Sequence, residues 1–205
     1  RRALAIDLRG HGKSAAPGDN DYAVGSFVKD LEAVVDKLAL KRFVLVGHSL
    51  GGAVAVTYAA KHRGRVAGLV LVGAPGRIPA EQSKQIMGSI EADYAPTMKG
   101  YWEKLVEGAQ PHVRTQILGE MNRVPKDDSI AIMKALFADD LPASLDRYPG
   151  PKLIVYTTRG NTPNDLQNVR PNVPRALLEG TSHWPHLDRP REFNAMLYEF
   201  LATIR

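Results

Sequence analysis

The chain has 205 residues, enough for one domain with a well-buried core, and its 44% hydrophobic and 24% charged residues are an ordinary globular composition. It contains no cysteine, which excludes disulfides, thiol catalysis and thiolate metal sites. The formal net charge of +5 comes from Lys and Arg scattered among Asp and Glu, with no basic block and no set of base-stacking aromatics, so nucleic acid is excluded as an expected partner.

The chain opens at Arg1 rather than at a methionine, and Leu4 to Asp7 already reads as a buried strand, so an N-terminally truncated domain is expected. Ser26 is placed to cap a helix whose Phe27, Leu31, Val34, Val35 and Leu38 recur at helical spacing. Next come a strand at Phe43 to Val46, an alanine-rich helix from Leu50 to His62, and a strand at Val66 to Val72. The stretch that follows holds no strand pattern. Its segments Ala80 to Tyr94, Thr97 to Gly108, His112 to Arg123 and Asp127 to Ala138 read as helices, punctuated by Pro79, Pro96, Pro111, Pro125 and Pro142. Strands at Leu153 to Thr157 and Ala176 to Leu178 and a last helix from Phe193 to Ile204 complete the order. Alternating strands and helices predict an α/β fold, a mostly parallel sheet flanked by helices, with residues 1–75 and 148–205 as its core and 76–147 as an inserted helical cap. No apolar run approaches the ~20 residues of a membrane helix and no charged-then-apolar leader is present, so no membrane span is expected and the cytoplasm is the default compartment.

The sharpest motif is Gly47-His48-Ser49-Leu50-Gly51, a G-x-S-x-G elbow between a strand and a helix. A sharp turn that lifts a serine above the sheet forces an unusual backbone at the serine, and the close approach of strand and helix predicts clashes for side chains at Gly47 and Gly51. Ser49 then stands at a helix N-terminus, where the Leu50 N–H is free to donate to an oxyanion. A serine hydroxyl needs a base within hydrogen-bond reach. Of the six histidines, His183 follows the last strand and so emerges at the same carboxyl edge as Ser49. His48 belongs to the elbow and reads as structural lining, and His62, His112 and His186 read as helix-end or loop residues. His183 and His186 lack the further ligands a metal site needs. Gly12-Lys13-Ser14 matches the tail of a phosphate-binding loop, but Asp7 stands where its first glycine should be and no helix pattern begins at Lys13. No metal and no cofactor are expected.

Asp7-Leu8-Arg9-Gly10-His11-Gly12-Lys13-Ser14, the elbow, and Gly180-Thr181-Ser182-His183 followed by Leu187-Asp188-Arg189-Pro190 and Phe193 resemble the α/β-hydrolase superfamily, in its branch of cap-bearing esterases, lactonases and cofactor-free haloperoxidases. The resemblance runs from Arg1 to about Gly73 and from Lys152 to the end. It implies that Ser49 is acylated, that His183 is the base, that Leu50 supplies one oxyanion amide, and that the Asp7-to-Ser14 loop borders the site without doing chemistry. The family's second oxyanion amide has no counterpart in residues 1 to 205 and is expected upstream of residue 1. The family's acid position holds Thr158-Arg159-Gly160-Asn161, so Asp165 is the nearest carboxylate and Asn161 the alternative partner for His183. Asp139, Asp140 and Asp146 precede the Leu153 strand and should lie at its opposite end, and Asp188 reads as bracing the loop after His183.

The expected activity is therefore a serine hydrolase cleaving a small-molecule carboxylic ester or lactone through an acyl-serine intermediate. Haloperoxidase-type perhydrolysis on the same triad and a non-catalytic binding relative are the alternatives. Apolar cap residues, among them Met87, Ile90, Trp102 and Met133, are candidates for either a substrate pocket or the cap's own core.

Overall fold

The computed structural model describes residues 2–158 and 161–204. The first half runs α1 (Val24–Lys37), β1 (Phe43–His48), α2 (Leu50–Lys61) and β2 (Val66–Val72). Helices α3 (Ala80–Ala92), α4 (Tyr94–Leu105), α5 (Pro111–Glu120), α6 (Lys126–Ala138) and α7 (Leu141–Asp146) follow, and then β3 (Lys152–Tyr156), α8 (Leu166–Val169), β4 (Arg175–Leu177), α9 (Pro185–Asp188) and α10 (Pro190–Thr203). Among the described residues the strands form one parallel sheet in the order β1-β2-β3-β4.

β2 is the anchor. All seven of its residues are buried, as a strand of a parallel sheet covered on both faces should be. Leu69 and Leu71 join the cluster that holds Phe27, Val35, Val54 and Tyr58 of α1 and α2. Val70 and Val72 join Phe193, Met196, Leu197 and Phe200 of α10 on the other side. Each such side chain taken out of water contributes about 1.5–3 kcal/mol, so the two layers hold the carboxyl end of β2 in a fixed place.

Three local expectations are corrected. Leu4 to Asp7 forms no strand, and Leu4 and Ile6 are 49% and 41% exposed. A strand persists through a ladder to a neighbour, and β1, at the end of the described sheet, pairs only with β2. Ser26 does not cap α1, which begins at Val24. Its hydroxyl, inside the first turn, donates to Asp21 Oδ2 at 2.5 Å, and Asp21 Oδ1 accepts from Ala23 N at 3.0 Å. Asp21 thus closes the turn from outside the helix. Finally α4 starts before Pro96 rather than after it. As the third helical residue, Pro96 occupies a position whose N–H has no intrahelical acceptor, so the missing donor costs nothing there.

The region between β2 and β3 is all helical among the described residues and has an apolar cluster of its own, in which Met87, Ile90, Met98 and Met133 are buried together. α7 departs from that pattern. Its Leu141 and Leu145 belong to the main core, and Asp140 caps it by accepting from Ala143 N at 3.1 Å. No helix among the described residues is long and apolar enough to cross a membrane.

Candidate active site

Ser49 joins β1 to α2 with φ 50° and ψ −118°. A non-glycine residue held there costs about 1–3 kcal/mol and persists only when its surroundings over-determine it. They do. Ser49 N donates to Val72 O at 3.0 Å, carrying the β1–β2 ladder into the turn, and Ser49 O accepts from Gly52 N at 2.8 Å, starting the helix. Gly47 makes the turn possible, because a Cβ on it would run into the Gly51 carbonyl and come within 2.8 Å of Gly52 Cα. Gly51, expected to be crowded as well, faces open space. The second tight position is Gly52, where a Cβ would lie 2.8 Å from Ala74 Cβ. Leu50 is the first residue of α2, so its N–H has no intrahelical acceptor.

His183 lies across the end of β2 from Ser49. A Cβ on Gly73 would meet His183 Cε1 and Nδ1, both at 3.1 Å, while Val72, one residue earlier, accepts from Ser49 N. The elbow and the histidine therefore flank the same Val72–Gly73 peptide at the carboxyl edge of the sheet, where ligands of open α/β sheets bind. His48 links them directly. Its Nε2 lies 2.8 Å from the His183 carbonyl, which can only accept, so Nε2 carries the proton. The His48 ring also sits 4.7 Å from the His183 ring and 4.9 Å from that of His186.

These rings are packed among one another with only a partial opening to solvent. Burial, and then the neighbouring His186, pushes the His183 imidazole down to about 4. Burial followed by its two histidine neighbours also drives His48 well below the ordinary histidine range. Both imidazoles are thus neutral at pH 7, which is the form a general base requires.

Ser49 and His183 thus each adjoin the Val72–Gly73 peptide, whereas the Asp165 carboxylate makes its contact elsewhere. Asp165 stands at the N-terminus of α8, where its carboxylate accepts from Thr162 N at 2.5 Å. Burial pushes its carboxyl up. Asn161 is exposed, with its Oδ1 accepting from Gln167 Nε2 at 2.8 Å and Asn168 Nδ2 at 2.7 Å. Arg159 and Gly160, in the stretch expected to hold the acid, lie outside the described residues. Asp140 caps α7 and Asp146 pairs with Arg170 at 2.6 Å. Asp188 does brace its loop, accepting from Ser182 N and Oγ at 2.7 and 2.6 Å. Among the described residues no group of three or more His, Asp or Glu could hold a metal ion.

Two contacts of the histidine loop had no signal in the sequence. His183 N donates to Leu105 O at 3.0 Å, and Trp184 stacks on Trp102 at 5.9 Å between ring centres. Both partners come from α4, and neither a motif nor a spacing connects that helix to residue 183.

The chain is 44% identical to epoxide hydrolase 3 of Xenopus tropicalis over 75 residues, which make up 36% of this chain and 20% of that protein. It is 32% identical to the AB hydrolase superfamily protein YisY of Bacillus subtilis (strain 168) over 220 residues, 97% of this chain and 81% of the relative. Among solved structures it is similar to Est816, described as an N-acyl homoserine lactone degrading enzyme, with a TM-score of 0.80 and 26% identity over 95% of this chain and 81% of that one. The alpha/beta hydrolase fold model matches residues 1–195, nearly the whole chain, and with the strained serine between β1 and α2 and the parallel sheet beneath it, the chain belongs to the alpha/beta hydrolase fold family.

Proposed function

We propose that the protein is a serine hydrolase that cleaves a carboxylic ester or lactone through an acyl-Ser49 intermediate. The observation that carries this reading is the strained Ser49 at the head of α2 with the neutral His183 imidazole across Val72–Gly73 from it. His183 takes the hydroxyl proton as Ser49 attacks the acyl carbon and returns it to the departing alcohol. The Leu50 N–H, at the positive end of α2, donates to the tetrahedral oxyanion. Water then enters by the same base-assisted route and releases the acid. Similarity to a lactone-degrading structure supports the lactone half of the substrate class. Residues 76–147 act as the cap over this edge of the sheet, with most of their large apolar side chains used in the cap's own core.

Incubation with a fluorophosphonate tests the reading, because the reagent needs only an activated serine. Stoichiometric labelling that disappears in Ser49→Ala, together with a loss of p-nitrophenyl ester turnover of about 10⁶, is the expected result. A folded parent chain that takes up no label overturns it and leaves the non-catalytic, binding reading.

A further inference from the structure

The contacts of the His183 main chain are unusually complete. Its N–H donates to Leu105 O and its carbonyl accepts from His48 Nε2. Ser182, just before it, gives both N–H and hydroxyl to Asp188 Oδ2, and the same hydroxyl accepts from Trp184 N, just after it, at 3.1 Å. The other carboxylate oxygen, Asp188 Oδ1, accepts from Gln110 N at 2.8 Å, in the link between α4 and α5. Asp188 itself is 7% exposed. All three of its partners are donors, so a neutral amide in its place would present an NH₂ group to at least one of them. Beside this network Trp102 of α4 stacks on Trp184 with an angle of 12° between their planes, and Trp184 and Leu187 pack against Val106, Val113 and Ile117 of the cap.

We propose that Asp188 is a positioning residue that joins the cap corner at Leu105–Gln110 to the peptide of His183, so that the base is aimed through its main chain by the seating of the cap. The proposal rests on the reading of Ser49 and His183 as the reacting pair. Asp188 touches neither substrate nor the reacting atoms. It fixes the residues on either side of His183 and ties them to α5. Any movement of the α4–α5 corner away from the sheet pulls on Gln110 N, Leu105 O and Trp102 together, and therefore on the histidine. Closure of the cap and alignment of the base become one event. Misplacement of a reacting group by about 1 Å lowers a rate roughly 10²-fold, which sets the scale of the effect.

Two variants of the full chain separate the parts of this device. Asp188→Asn weakens the carboxylate while keeping its volume. Gln110→Pro removes the N–H that reaches Asp188 from the cap, at a residue whose φ of −58° already suits proline. The maximal rate of fluorophosphonate labelling and the reagent concentration at half that rate are measured for each. Ring ¹H–¹⁵N signals of His183 are recorded in parallel in a Ser49→Ala background. Asp188→Asn is expected to lower the maximal labelling rate about 10- to 100-fold with the half-saturating concentration changed less than about threefold. Gln110→Pro should lower it in the same direction by a smaller factor, Asp188→Glu should recover part of the loss, and the His183 ring signals should move in both damaged variants. Unchanged ring signals in a folded Asp188→Asn, or in a folded Gln110→Pro if the former does not fold, overturn the proposal. A change in half-saturating concentration alone, with the maximal rate intact, also overturns it. A parent that takes no label counts against the hydrolase reading, while the ring signals still decide the role of Asp188.

Discussion

The serine elbow and the histidine loop reach the same Val72–Gly73 peptide by opposite routes. Much of what shapes the elbow is within a few residues of Ser49: β1 before it, α2 after it, and the absent side chain of Gly47 against Gly51 and Gly52, with Val72 O and Ala74 as the distant contacts. The histidine loop owes its position to distant partners, Leu105 and Gln110 between β2 and β3 and His48 in the elbow. A locally built turn stores strain that neighbouring residues hold in place. A loop built from remote contacts stores none and depends on the packing of other elements. The two halves of one site should therefore fail differently.

The largest expected difference concerns protons. His183 takes a proton near 6.5 when unfolded but only near 4 when folded, so the unfolded chain binds more protons between these values. Stability is expected to fall by up to about 3 kcal/mol as pH drops from 7 to 4, with His48 acting in the same direction. Denaturant titrations of the parent and of His183→Gln measure it. Equal pH slopes for the two proteins would remove His183 as the source. In the same window the labelling rate should hold to near pH 4, because the base stays neutral.

The elbow gives the opposite sign when it is broken. Ser49→Gly relieves the positive φ, and is expected to be more stable than Ser49→Ala by about 1 kcal/mol or more, while both lack activity. Urea midpoints of the two variants compare them directly. Should Ser49→Ala prove as stable as Ser49→Gly, the serine is not strained.

The smallest effect is expected at Asp165. Its carboxylate serves Thr162 N at the start of α8, and Asn accepts there almost as well. Asp165→Asn should change the labelling rate by less than about threefold, against a loss of about 10⁴ for a residue that holds the histidine tautomer. A loss on that larger scale would return Asp165 to the His183 ring.

How legible the site was in the sequence follows the same division. Gly47 through Leu50 stand consecutively between a strand and a helix, so spacing alone located the turn and Ser49 on it. Position after the last strand pointed to His183, because every strand of a parallel sheet ends at the same edge. The steric role assigned to Gly51 belongs instead to Gly52, since which of two adjacent glycines is crowded depends on where Ala74 packs. Ser26 has the residue type of a cap, yet Asp21 reaches the same turn from outside and the helix begins two residues earlier. Leu4 to Asp7 has the composition of a strand, but pairing requires a neighbour and composition does not supply one.

The sequence by itself determined the α/β alternation, the all-helical stretch between β2 and β3, the elbow and the place of His183 after the last strand, because each is written in the period or spacing of nearby residues. Only the tertiary structure decided which carboxylate meets which donor. Asp165 was the nearest in chain order and turned to Thr162, while Asp188 turned to Ser182 and to Gln110 between α4 and α5. A buried carboxylate goes where donors converge in space, and that convergence is set by how α4 and α5 dock on the histidine loop, which no local pattern encodes.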